Sequence, residues 1–353
     1  MKKPENKFTS FPPSRLSDWE LAAKNELKGA DPWKKLGYVK QGLQFKPFNT
    51  PENSKSSSFQ LSPGNNNFLG ARTWYNCPLV RVGDPSIANQ QALEHLKKGA
   101  DGIYFELTKS TDFRILLCDI EWPYCSLNFL AKNNQVSIAN DLKTFFQEKY
   151  SQKETTIGAF FGKPDASLPN QDTFSFLGYA IPNMDSPSKE LVHGISTLAQ
   201  SINGDFQKRS GEVAFSVEIG TDFFIEIIKL RALRIIWERL VVEKKGKTGV
   251  PVFIHAHARA WNETQYSPHS NMVKSTPAAM AAILGGCDAL TVEAEDQDND
   301  TMNRIARNVS NILREEAHFS RVADPMGGSY FVESMTQQLV EDVWKNILPG
   351  LKS

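Results

Sequence analysis

From Leu79 onward the chain alternates short apolar runs with amphipathic stretches of helical period. Eight runs read as strands, near Leu79 to Val82, Ile103 to Leu107, Ser126 to Leu130, Thr156 to Phe161, Phe174 to Ile181, Val213 to Val217, Pro251 to His257 and Ala289 to Glu293, and helical segments separate most of them. Right-handed crossovers make a closed parallel barrel or a doubly wound open sheet the two serious choices. Eight units in about 250 residues is the size of a barrel. After the last strand come helical stretches around Asn303 to His318 and Met335 to Ile347, enough to cover it and close the outer ring. The pattern therefore predicts an α/β fold, a (β/α)8 TIM barrel, with no internal sequence repeat.

The segment Phe223 to Val241 shows how the layers are expected to join. Phe223, Ile227, Leu230, Leu233 and Trp237 recur at three- and four-residue steps, the stripe of a helix packed on a core. Glu226, Lys229 and Glu238 fall off that stripe, and Arg231 and Arg234 are expected on a solvated or ion-paired face.

Ahead of the barrel the pattern changes. A helix is predicted from about Asp18 to Lys28, with Ser17 and Glu20 as a capping box and Gly29 as the stop. A short extended piece, Gly42 to Phe48, leads into PENSKSSSFQLSPGNNNF, whose Ser, Asn, Pro and Gly content marks a linker. The reading is an N-terminal extended arm carrying one helix over residues 1–68 and a barrel over 69–353. An arm with so little core must rest on the barrel or on a partner chain.

Composition narrows the class. Forty basic residues balance forty acidic ones, so there is no electrostatic footprint for nucleic acid. No apolar run approaches the ~18 residues that would span a membrane, and MKKPENKFTSFPPS lacks the apolar centre of a signal peptide. A cytoplasmic location is expected. Cys77, Cys118, Cys125 and Cys287 are scattered without a CxxC pair, which argues against a zinc site or a disulfide framework.

Candidate chemistry centres on VFIHAHARAWNETQYSPHSN, Val252 to Asn271, where an apolar strand runs into a polar turn. Residues i and i+2 share a strand face, so His255 and His257 point the same way at the end where barrels keep their chemistry. They are the catalytic candidates. Acid–base work, hydrogen bonding, mutual polar packing and a metal pair of the metal-dependent hydrolase kind are the alternatives. His95, His193, His269 and His318 stand at no strand end with the carboxylates that further ligands would require, so no metal is expected. DPMGGSYFVE, Asp324 to Glu333, lacks the spacing of a phosphate-cradling loop and reads as a helix break and tight turn.

The same block, with FFIEIIKLRALRIIWERLV at Phe223 to Val241 and with DPMGGSYFVE, resembles the substrate barrel of methylmalonyl-CoA mutases, and is most similar to the small, non-catalytic subunit of heterodimeric bacterial enzymes. The resemblance implies an adenosylcobalamin-dependent isomerisation of methylmalonyl-CoA and succinyl-CoA, with Tyr179, Asn271 and Thr291 as further candidates for lining a substrate lumen. It also implies losses. The family's catalytic RQYAG stretch matches Cys77-Pro78-Leu79-Val80-Arg81, with Leu79 at the tyrosine; GYHMQEAG matches Gly178 to Asn183, with Ala180 at the histidine. HCQTSGW matches His255 to Trp261, where His255 is kept, His257 replaces glutamine and Ala258-Arg259-Ala260 replaces TSG. The HARTSRWN of small subunits fits Arg259 to Asn262 better. The family's cobalt-ligating DxHxxG does not occur in this sequence. These features imply an assembly role beside a large catalytic subunit that holds the adenosylcobalamin, or self-association in its absence, with acyl-CoA as a possible ligand. An active barrel paired with a separate cobalamin domain is the alternative within the family.

Overall fold

The computed structural model describes residues 15–54, 61, 71–149, 156–162, 174–244, 249–250, 252–260 and 270–351. The arm contains helices α1 (Leu16–Glu26) and α2 (Pro32–Leu36) and an antiparallel hairpin of β1 (Tyr38–Lys40) and β2 (Leu43–Phe45). The barrel strands are β3 (Tyr75–Asn76), β4 (Leu79–Val82), β5 (Gly102–Leu107), β6 (Ser126–Ala131), β7 (Thr156–Gly162), β8 (Phe174–Ala180), β9 (Val213–Ile219), β10 (Phe253–Ala258) and β11 (Ala289–Val292). Around them lie α3 (Pro85–Lys97), α4 (Phe113–Leu116), α5 (Gln135–Lys149), α6 (Pro187–Ser201), α7 (Phe206–Arg209), α8 (Phe223–Glu243), α9 (Ser270–Gly285), α10 (Asp300–Glu315) and α11 (Tyr330–Leu351).

All pairings between neighbouring strands of the large sheet are parallel, in the order β3-β11-β10-β9-β8-β7-β6-β5-β4. The two ends of this order are one stretch of chain. Tyr75 and Asn76 pair with Ala289 and Leu290, and after Cys77-Pro78 the chain continues as β4 and pairs with β5. Residues 75–82 are thus the first barrel strand, interrupted once, and the sheet closes on itself into the (β/α)8 barrel that the alternation predicts. Strands β5 and β10 are buried at every position, as expected for strands covered on both faces.

Helix α8 departs from the simple stripe. Thirteen of its residues are buried, including Glu226, Lys229 and Arg231. Lys229 sits between Glu190 of α6 (2.9 Å) and Glu226 (2.7 Å) and donates to the Glu218 carbonyl (2.9 Å). Arg231 pairs with Asp324 at 2.6 Å, and Arg234 ties Asp288 to the carbonyls of Gly286 and Val252. These arginines are ion-paired, Arg231 buried under the Asp324 turn and Arg234 partly buried against Asp288 and the carbonyls beside it. The DPMGGSY turn is part of this clasp: Asp324 also accepts from Leu61 N, and Gly328, at φ +81, donates to Glu333.

The arm hooks onto the outside of the barrel. Leu43 and Phe45 are buried, Gln44 N donates to Gln338 of α11 (2.6 Å), and Lys40 and Gln41 hold Asp222 at the start of α8. Helix α1 begins two residues earlier than its pattern predicts: Arg15 is the cap, and its amide is taken by Asp18 (2.8 Å), not by a Ser17 box. It has no buried residue. Trp19 packs on Trp33 and Phe48, while Leu21, Tyr38 and Val39 are more than half exposed. Among the described residues no helix is long and apolar enough to cross a membrane.

Candidate functional site

Inward-facing positions follow from strand alternation. Leu79, Tyr104, Ala159, Phe161, Ala214, Phe253 and Ala289 form one lumen cluster, with Phe176 and Ala180 packed against it. Gly178 shares that face; a Cβ there would collide with the Phe161 ring, so the glycine is what allows the phenyl group to fill the lumen.

His255 lies in this filling and is fully buried. Its ring stacks on Tyr104, with centroids 4.2 Å apart, and Phe161 lies 5.6 Å away. Ser216, directly opposite on β9, meets Nδ1 at 2.8 Å, and Thr291 Oγ1 meets Nε2 at 2.8 Å. The proton order can be assigned. Thr291 gives its hydroxyl hydrogen to the Cys77 carbonyl at 2.6 Å, so it accepts from Nε2–H, and Nδ1 accepts from Ser216. Tyr104 OH stands 3.4 Å from Ser216 Oγ, at the head of the chain. Burial, and then the neighbouring His257, push the His255 pKa well below its ordinary value, so the ring is neutral and both nitrogens are occupied.

Two residues on, the surroundings change. His257 Nε2 lies 3.3 Å from Glu293 Oε2 but off the line of a hydrogen bond. Glu293 also pairs with Arg81 and accepts from Ala260 N at 3.2 Å. Arg81 reaches Glu106 at 3.4 Å, Lys132 reaches it at 2.8 Å, and Arg259 meets Glu218 at 3.3 Å. Burial opposes ionisation of Glu293, but His257, the Ala260 amide and Arg81 outweigh it and bring its pKa to about 2. Ion pairs between neighbouring strands line the rim of the barrel.

The structure brings His255, His257 and Thr291 together in the lumen. Tyr179 it places elsewhere. Alternation puts it on the opposite face from Ala180, in the outer core, where its hydroxyl meets His193 Nε2 of α6 at 2.9 Å. Asn271 is the second residue of α9, and its side chain lies outside the described residues, as do Trp261 and His269. Among the described residues no three His, Cys, Asp or Glu side chains group as metal ligands. The sequence reading missed Tyr104, Ser216, Glu106 and Phe161. The available signal was Tyr104 and Glu106 recurring at period two within the apolar strand GIYFEL.

Residues 198–348 match the family model described as methylmalonyl-CoA mutase. The chain is 29% identical to the methylmalonyl-CoA mutase small subunit of Porphyromonas gingivalis, over 98% of this chain and 64% of that protein. It is 35% identical to the methylmalonyl-CoA mutase of Rhizobium meliloti over 42% of this chain and 22% of that one. The large subunit of Porphyromonas gingivalis is 29% identical over 53% and 28%. The chain thus spans less than two thirds of the length of these relatives. The dihydropteroate synthase of Thermus thermophilus superposes with a TM-score of 0.39 at 13% identity, over 72% of this chain and 98% of that one, too distant to bear on function. The chain is thus similar to the small subunit of a methylmalonyl-CoA mutase along nearly its whole length, and its residues 198–348 carry the match to the methylmalonyl-CoA mutase family model.

Proposed function

We propose that this chain is the structural, non-catalytic barrel subunit of an adenosylcobalamin-dependent mutase that interconverts methylmalonyl-CoA and succinyl-CoA in the cytoplasm. The observation that carries the reading is the filled lumen. The Tyr104–His255 stack, closed by Ser216 and Thr291, occupies the axis along which an acyl-CoA thioester would have to pass. Leu79 and Ala180, at the positions of the family's tyrosine and histidine, offer neither an O–H nor an N–H.

The cofactor is assigned to the partner. A corrin needs an open lumen beneath it, and this barrel does not fit that need, since Tyr104, His255 and Phe161 fill the lumen and Arg81, Glu106 and Glu293 pair at its rim. No reaction step is therefore routed through this chain. Its contribution is a rigid surface, and the arm supplies an apolar one: Leu21, Tyr38 and Val39 are exposed on a segment anchored at Leu43 and Phe45.

A hydrolase reading is disfavoured by the occupied nitrogens of His255, which would have to give up two hydrogen bonds before either could ligate a metal. The active-barrel alternative is tested by reconstitution. The purified chain, mixed with a separate cobalamin domain and adenosylcobalamin, is expected to show no turnover of methylmalonyl-CoA, and mixed with a large catalytic subunit it is expected to co-elute. Turnover in the first mixture, or failure to associate in the second, overturns the proposal.

A further inference from the structure

The arm reaches the start of α8 through the tip of its hairpin. Lys40 and Leu43 are the last paired residues of β1 and β2, so Gln41 and Gly42 form a two-residue turn, with φ of +50 and +83 as a type I′ turn requires. Leu43 and Phe45 are buried, while β1 is exposed at every position. At the tip, the Asp222 carboxylate takes Lys40 Nζ on one oxygen and Gln41 Nε2, at 3.1 Å, on the other.

Asp222 is also the residue that opens α8, and there its side chain has a second use. A helix leaves its first amides without an internal partner, and an Asp, Asn or Ser at this position ordinarily accepts from one or two of them. Asp31, Asp84, Asp112, Ser186 and Asn299 all do so at the starts of α2, α3, α4, α6 and α10, with ψ between 100 and 149. Asp222 has ψ 79 and makes no such bond. Phe223 N donates to the Thr221 carbonyl and Glu226 N to that of Asp222; the amides of Phe224 and Ile225, between them, have no hydrogen bond to a described residue. One carboxylate thus faces two sets of donors, and both of its oxygens serve the set that arrives from 181 residues away.

We infer that Asp222 is a two-position latch: its carboxylate either holds the hairpin tip or turns back to cap α8, so the tip can leave the barrel without leaving the helix end unmet. The two positions are close in worth, because a solvent-accessible ion pair and a cap bond are each weak and of similar size, and Lys40 is half exposed. Salt weakens the ion pair, so rising ionic strength, or an acidic group that competes for Lys40, shifts the tip outward. The latch is a property of this chain and does not depend on the assembly role proposed above.

The test is residue-resolved amide hydrogen exchange of the full chain at pH 7 and low salt. Lys40→Ala combined with Gln41→Ala is expected to speed exchange in the hairpin, residues 38–45, by about fivefold and to slow the amides of Phe224 and Ile225 by a similar factor, the worth of one cap. Asp222→Asn can still cap but offers Lys40 no charge, and should give the same pair of opposite changes. Asp222→Ala can do neither, and should speed the hairpin while leaving Phe224 and Ile225 fast. A hairpin that loosens in the first two variants with no slowing at Phe224 and Ile225 would overturn the latch and leave an ordinary surface ion pair. Equal slowing in Asp222→Ala, or hairpin exchange unchanged by truncation of Lys40 and Gln41, would overturn it as well.

Discussion

His255 and His257 share a face of one strand, two residues apart, and their surroundings are opposite. The deeper ring is sealed between aromatic groups and held by two hydroxyls; the shallower one stands at the edge of a charged lattice anchored on Glu293. An HxH pair on a barrel strand therefore defines a direction but not a chemistry. Depth decides. One rise of two residues, about 6–7 Å, takes the strand from a dry interior that requires a neutral ring to a mouth that stabilises ions.

The comparison breaks most visibly if the inner ring is removed. His255→Ala leaves a cavity against Tyr104 and Phe161 and strands the hydroxyls of Ser216 and Thr291, so denaturant unfolding at pH 7 should show a loss of about 3–5 kcal/mol. A loss below about 1 kcal/mol would mean that the ring is not a packing element.

Acid titration sharpens the contrast, because the two depths fail in different windows. The unfolded chain protonates a histidine below pH 6.5 while folded His255 does not, so its contribution is full above about 6.5 and is lost as pH falls below that value. Glu293 titrates at about 2 when folded, against an ordinary 4.5, so its contribution is full above 4.5 and lost as pH falls toward 2. That difference is on the order of 3 kcal/mol. Glu293→Gln should flatten the lower limb alone, and His255→Gln part of the upper limb, the rest of which belongs to His95. If either substitution flattened the other limb, the assignment by depth would be wrong.

Smaller effects are expected away from both. Tyr179→Phe removes only the hydroxyl bonded to His193 in the outer layer and should lower stability by about 1 kcal/mol, with no change in either acid limb. Arg259→Ala acts on an exposed pair with Glu218. The expected change is within about 0.5 kcal/mol and should vanish in molar salt.

The eight barrel strands were legible because a strand covered on both faces is a short apolar run whatever its neighbours are. What decides the lumen was less legible. Tyr179 and Ala180 cannot both face inward at period two, and alternation within Phe174–Ala180, applied strictly, assigns the alanine. The ion pairs of Arg231 and Arg234 depended on Asp324 and Asp288, which arrive from 93 and 54 residues away and which no local pattern encodes. Ser216 had no local mark either, since its role arises only when β9 and β10 are paired around one axis.

The central claim is that this lumen is packing and not chemistry, and the most direct test is mutase activity of the complex between this chain and a large catalytic subunit. With His255→Gln in this chain, the complex should keep the wild-type kcat and KM for methylmalonyl-CoA while this chain's Tm falls. A drop in kcat of about a hundredfold, the size of losing one preorganised donor, in a complex that remains assembled would contradict the account.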